Sequence, residues 1–196
     1  MASPPATKYA SLAERATIIL KAGRSMLGRK DVQALYGAAF VAQVAAWNAY
    51  VAGLIGCFFQ EVANPMVVQF HAMHTLANTA AISRLDRFNT PNAENTRNLI
   101  LQCTGYDPWV DWQWPARGMN ALDTRLRLNE ILKVRHSLAH GFPMPGYSWT
   151  QGASGQTRLT VTDLAWTRAF FDHLVITTDL GLRTHLVATY GAVPNW

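Results

Sequence analysis

The sequence predicts an all-α fold, a helical bundle carrying one small β-hairpin near residues 147–161. Three observations predict it. Apolar side chains recur at intervals of three and four along most of the chain, the signature of helices that bury one face. Strand-like stretches are confined to one short segment. Gly and Pro stand where bundle helices would stop.

Thr7 to Leu27 places Leu12, Ala16, Ile19 and Leu20 on one face and Glu14, Arg15, Lys21 and Arg24 elsewhere. That is an amphipathic helix, ended by Gly28. Asp31 then caps a long apolar helix that reaches about Ala63, where Asn64-Pro65 breaks it. A third helix is expected from Met66 to about Phe88. Asn89 to Asn92 forms a turn, and Thr90 or Asn92 starts a shorter helix through Gln102. Gly105 to Arg117 reads as an aromatic loop holding Trp109, Trp112 and Trp114. The next helix runs from about Asn120 to Ala139. Tyr147-Ser148-Trp149 and Thr157 to Val161 are β-prone, and Gly152-Ala153-Ser154-Gly155 between them suits a hairpin turn. Thr162-Asp163 looks like the N-cap of a last helix ending near Tyr190. No repeat, low-complexity tract or long linker divides the chain, so residues 1–196 read as a single domain.

With 196 residues, 49% hydrophobic and 15% charged, the chain has the composition of a compact globular protein rather than a disordered one. A net charge of +5 is compatible with a polyanionic partner. Cys57 and Cys103 show no C-x-x-C spacing and read as two buried, reduced thiols. Met1-Ala2-Ser3-Pro4-Pro5 lacks the basic-then-apolar layout of a signal peptide. These points together predict a cytoplasmic protein. One segment argues for a membrane: no charge interrupts the chain between Asp31 and Glu61. Its Ala, Gly, Gln43, Asn48, Tyr36 and Tyr50 suit the centre of a bundle better than a lipid-facing helix.

The chemistry concentrates in Arg135-His136-Ser137-Leu138-Ala139-His140-Gly141. Arg135 is a fixed cation able to hold phosphate charge, and His140 a base able to move protons near neutral pH. Leu128, Ile131 and Leu132 form an apolar stripe, and Arg135 falls at i+7 of it, where an apolar residue is expected. An unpaired guanidinium is costly to bury. Arg135 therefore either pairs with a carboxylate or helix-end carbonyls, or faces a polar cleft. His140 has two readings as well: it caps the helix end before Gly141, or it belongs to a site.

R-H-S-L-A-H-G resembles the R-x4-H motif of the HEPN superfamily, helical domains that include many ribonucleases. Phe88-Asn89-Thr90-Pro91-Asn92, Leu99-Ile100-Leu101, Gly105, Trp112 and Trp114 resemble the stretch preceding the motif in its RiboL-PSP-HEPN branch. Ala46-Trp47-Asn48-Ala49-Tyr50 resembles that branch's W-E-x-Y helix. The likeness covers about residues 31–186. Two departures stand out: His136 replaces the usual Asn after the Arg, and Asn48 replaces the usual acid after Trp47. These either weaken the site or, for His136, add a second titrating group.

The resemblance implies a metal-independent endoribonuclease with no cofactor, acting on single-stranded RNA by 2′-hydroxyl attack and leaving a 2′,3′-cyclic phosphate. Arg135 and His140 would be catalytic, with His136 and Asn48 in support. It also implies a homodimer with a composite active site and a toxin, antiviral-defence or stress role, with an antitoxin or regulatory protein as a further partner. The alternative is a non-catalytic module of the same fold that binds RNA or protein.

Other groups carry weaker signals. His71 and His74 at i, i+3 lack a third ligand, and no phosphate-binding glycine loop occurs. Trp109, Trp112 and Trp114 could stack on bases, although a hydrophobic plug between Pro108 and Pro115 explains them as well.

Overall fold

The computed structural model describes residues 1–24, 29–63, 68–88, 92–152 and 155–196. Six helices account for most of them: α1 (Pro4–Arg24), α2 (Arg29–Glu61), α3 (Val68–Asp86), α4 (Ala93–Thr104), α5 (Ala121–His140) and α6 (Val161–Tyr190). The expected stops at Gly28 and Asn64-Pro65, and Asn89 to Pro91, lie outside the described residues.

Helix α2 is the hub and touches each of the other five. Its small residues permit that close approach: Gly37 lies 3.5 Å from the Leu138 side chain on α5, measured from where a Cβ would stand. In the middle of α2, the fully buried Trp47 packs against Phe171 at 5.5 Å, Trp112 at 6.0 Å and Tyr50 at 5.6 Å between ring centroids. This is the only described helix apolar and long enough to cross a bilayer, and 56% of its apolar window is buried inside the bundle.

Local caps explain most boundaries. Asn92 accepts the Asn95 N–H at 2.7 Å to start α4. Asn120 and Asp123 form a reciprocal capping box at the start of α5, and Gly141, at φ 69°, ends it. The last helix differs from expectation. Thr160, not Thr162, is its cap, and Asp163 is the third helical residue that returns the bond.

Helix α1 starts at Pro4, earlier than the expected Thr7, for a tertiary reason. Ser3 caps it by accepting the Ala6 N–H at 3.1 Å. Asp179, from the distant α6, fixes Ser3 by accepting its N–H at 2.9 Å and its hydroxyl at 2.6 Å. The Tyr50 hydroxyl donates to the same carboxylate at 3.1 Å. Asp179 is only 7% exposed, and these three donors offset its desolvation. Helix α6 also needs Gly181, because the Tyr106 hydroxyl and the Asp111 carboxylate occupy the space a Cβ would take.

The expected hairpin at 147–161 does not form. Within that segment the described residues form one antiparallel bridge, Gln151 with Thr157, and no strand is found among the described residues. Two backbone bonds join the arms, Arg158 N–H to the Thr150 carbonyl (2.8 Å) and Gly152 N–H to the Gln156 carbonyl (3.0 Å). Pairing stops there because the Thr150 N–H turns back to the Tyr147 carbonyl at 2.9 Å. Thr150 accepts the Tyr147 N–H at 2.8 Å and donates to the Pro145 carbonyl at 2.8 Å, which curls the first arm into a turn. Gln33 on α2 bonds both the Leu159 carbonyl (3.0 Å) and its N–H (3.3 Å), which holds the second arm against the bundle.

Both cysteines are buried and free, as expected. Burial, with Glu61 and Asp179 nearby, pushes the Cys57 thiol from 9.0 up to about 11, and burial raises Cys103 as well. Thiolate is therefore scarce at pH 8, and a thiol reagent such as Ellman's should label neither residue until the protein is unfolded. Rapid labelling of the native protein would contradict this burial. The neutral Cys57 thiol contributes stability fully below pH 9.0, and that contribution is lost as the pH rises to about 11.

Candidate active site at the end of helix α5

The buried stripe of α5 runs through Thr124, Leu128, Ile131, Leu132, Val134 and Ser137. It then continues to the half-buried Leu138 against α2 rather than through Arg135. Arg135 lies at the margin of the stripe, half-buried. It makes no hydrogen bond or ion pair with a described residue. The carboxylate pairing that would have made it a structural residue is not formed.

His136 and His140 are exposed one helical turn apart, with ring centroids at 4.5 Å. Phe142, 57% exposed, completes the cluster: its ring stacks on His140 at 5.8 Å and lies 5.9 Å from His136. The reason is the helix end itself. Gly141 turns the chain left-handed, and the Phe142 N–H donates to the Ser137 carbonyl at 2.9 Å, folding the aromatic back over the last turn. Phe142 was missed in the sequence, although an apolar residue straight after a helix-ending glycine is a usable signal for such a contact.

Three of the other four histidines behave differently, while the exposed His71 on α3 makes no ring hydrogen bond to a described residue. His74, His173 and His185 donate Nε2 to the carbonyls of Phe59 (2.8 Å), Gln113 (2.7 Å) and Thr104 (3.0 Å). They fasten helix ends and loops. His136 and His140 make no such bond with a described residue, so the described protein leaves their ring nitrogens unused.

Asn48 is half-buried on α2. No hydrogen bond joins it to Arg135, His136 or His140. It follows Gly37, the residue beside Leu138, by eleven positions, about 16 Å of helical rise. The fold thus brings Arg135, His136 and His140 to one end of α5 and leaves Asn48 apart within a single chain. Trp47 and Tyr50 are core residues.

The tryptophans of the 105–117 loop divide. Trp112 is fully buried, its indole donating to the Thr178 hydroxyl at 2.8 Å. Trp114 is half-buried and stacks on His173 at 4.8 Å. Trp109 lies between the guanidiniums of Arg97 (4.4 Å) and Arg125 (4.0 Å), and Arg97 also pairs with Asp107. They plug the loop onto the bundle. Arg127 is held between Trp149 and Trp166 and pairs with Glu130 at 3.5 Å, so it is a structural cation. Among the described residues, no three His, Cys, Asp or Glu side chains converge as a metal site.

Comparison with family models, with curated proteins and with solved structures finds no match to this chain. The HEPN resemblance therefore rests on the motif residues and their order.

Proposed function

We propose that the protein is a metal-independent endoribonuclease of HEPN type that cuts single-stranded RNA. The observation that carries this reading is the state of Arg135: a half-buried cation with no protein partner, on the same helix end as two exposed imidazoles whose ring nitrogens make no protein hydrogen bond. A stabilising role in the fold would have required a carboxylate for Arg135 and carbonyls for the histidines, as His74, His173 and His185 have.

In the reaction, His140 takes the proton of the 2′-hydroxyl as O2′ bonds to phosphorus. Arg135 holds the charge that builds on the phosphorane oxygens. The P–O5′ bond then breaks and O5′ receives a proton, leaving a 2′,3′-cyclic phosphate and a 5′-hydroxyl. Base and acid must stand on opposite sides of an in-line phosphorus. His136 and His140 are too close for that: two hydrogen bonds of about 2.6–3.2 Å, with O–P–O between them, exceed their separation. His136 is thus a neighbour that orients His140, and the acid is His140 of a second copy across an isologous interface. A homodimer with a composite site follows. A cytoplasmic setting, which rests on the composition and the two thiols, belongs to the same proposal, as do a toxin or antiviral-defence role and an antitoxin-like partner, which derive from the resemblance.

Because side chains alone move the protons and hold the charge, cleavage should persist in excess EDTA and yield cyclic-phosphate ends. Loss of activity in EDTA, restored by a divalent ion, would overturn the mechanism. Light scattering that reports a monomer in the active preparation would overturn the composite site. A protein that binds RNA or a protein partner and cuts no RNA would be the binding module instead.

A further inference from the structure

A second feature lies away from the motif. Between the C-terminal end of α3 and the outer face of α4 runs an open groove of about 460 Å³, lined by Arg84, Arg87, Phe88, Asn95, Asn98, Leu99 and Gln102. The arrangement follows from helical spacing. Arg84 and Arg87 stand three apart at the end of α3, and Asn95, Asn98 and Gln102 follow at i, i+3 and i+7 along one face of α4. Leu99 is buried beneath them and Phe88 is half-buried at the end of the groove.

Among the described residues the lining contains no carboxylate, and neither arginine bonds to a described residue. Arg97, Arg127 and Arg168, by contrast, each pair with an acid. Guanidiniums without acids suit phosphate oxygens, which they bind through two parallel N–H donors. Side-chain amides present donors and acceptors together, which matches the edge of an unpaired base. An aromatic ring at one end offers a stacking surface. The volume is that of a small-molecule site, enough for about one or two nucleotides.

We propose that this groove binds unpaired nucleotides of the RNA strand that is cut at Arg135 and His140, with Arg84 and Arg87 on the phosphates and the Asn98 and Gln102 amides on base edges. This rests on the ribonuclease reading for the identity of the strand. The groove is linked to the motif helix: the Ala93 N–H, at the start of α4, donates to the Asn129 side chain at 2.7 Å. Asn129 precedes Arg135 by six residues on α5, about 9 Å of rise.

The test uses the full chain and a short single-stranded RNA with every 2′-hydroxyl methylated, which binds without being cut. Binding is read by fluorescence anisotropy across a salt series. The double variant Arg84→Gln/Arg87→Gln should bind about tenfold or more weakly, and its salt slope should fall by about 1.4, two phosphate contacts on a single strand. Asn98→Ala/Gln102→Ala should alter preference among base compositions and leave the slope unchanged. All four side chains are exposed, and circular dichroism should report native helix content for both variants. Wild-type affinity and slope in the arginine variant overturn the proposal, as does a wild-type protein that does not bind the oligonucleotide. The two readings fail separately. If wild type cuts unmethylated RNA and the arginine variant does so with unchanged KM, the groove assignment is wrong and the ribonuclease stands. If the arginine pair governs binding and wild type never cuts, the groove stands and the ribonuclease reading falls.

Discussion

Replacing Arg135 or His140 by Ala should lower RNA cleavage by about a thousandfold each, the scale of losing a charge-stabilising donor or a general base. Native helix content and melting temperature should change little. Arg135 is partnered by nothing in the described protein, and His140 is exposed, so neither truncation leaves a buried group unsatisfied. The two effects should not add, because both groups act on one phosphate in one transition state. His136→Asn, which restores the residue of the resembling family, should keep most of the activity, since the proposed reaction uses His136 only as a neighbour of His140. A fall in stability in Arg135→Ala, with activity unaffected in His140→Ala, would make Arg135 structural and end the ribonuclease reading.

Trp47→Ala should destabilise the fold by about 3–5 kcal/mol, the usual loss for removing a buried indole. In a domain of this size that lowers the melting temperature by roughly 10 °C, at about 2–4 °C per kcal/mol. Trp47 is fully buried and meets Trp112, Phe171 and Tyr50, which come from three different parts of the chain. No single neighbour can collapse into the space it leaves. The indole nitrogen makes no hydrogen bond, so the whole loss is packing and transfer. Trp47→Phe should recover most of the stability. A thermal melt close to wild type for Trp47→Ala would show that this centre is looser than the packing indicates. The contrast with Arg135→Ala separates the two halves of the resemblance: one residue holds the bundle, the other is free for chemistry.

The order of the helices was legible because their ends are local. Asn92, Asn120 and Gly141 act through bonds to residues within a few positions, so the residue type in its place announces the boundary. The start of α6 differs from expectation by two residues although its cap, Thr160, is local; other boundaries depend on a distant partner. Pro4 starts α1 because Asp179 holds Ser3 from 176 positions away. The second arm of the expected hairpin is held against α2 by Gln33, 126 positions from Leu159, which bonds both of its backbone groups. Neither partner has a signature in the local sequence.

The site divides along the same line. Spacing alone determined that Arg135, His136 and His140 share one end of one helix, because residues at i, i+1 and i+5 of an α-helix must lie within about two turns. Spacing also marked Arg135 as a cation beside an apolar stripe. Whether that cation is neutralised by a carboxylate depends on which helices pack beside α5. Only the tertiary structure decided that it is not, and that His74, His173 and His185 are tied to carbonyls while His136 and His140 are not. The groove of Arg84 and Arg87 was hidden for the same reason: its two walls are separate helices, and their approach is a property of packing.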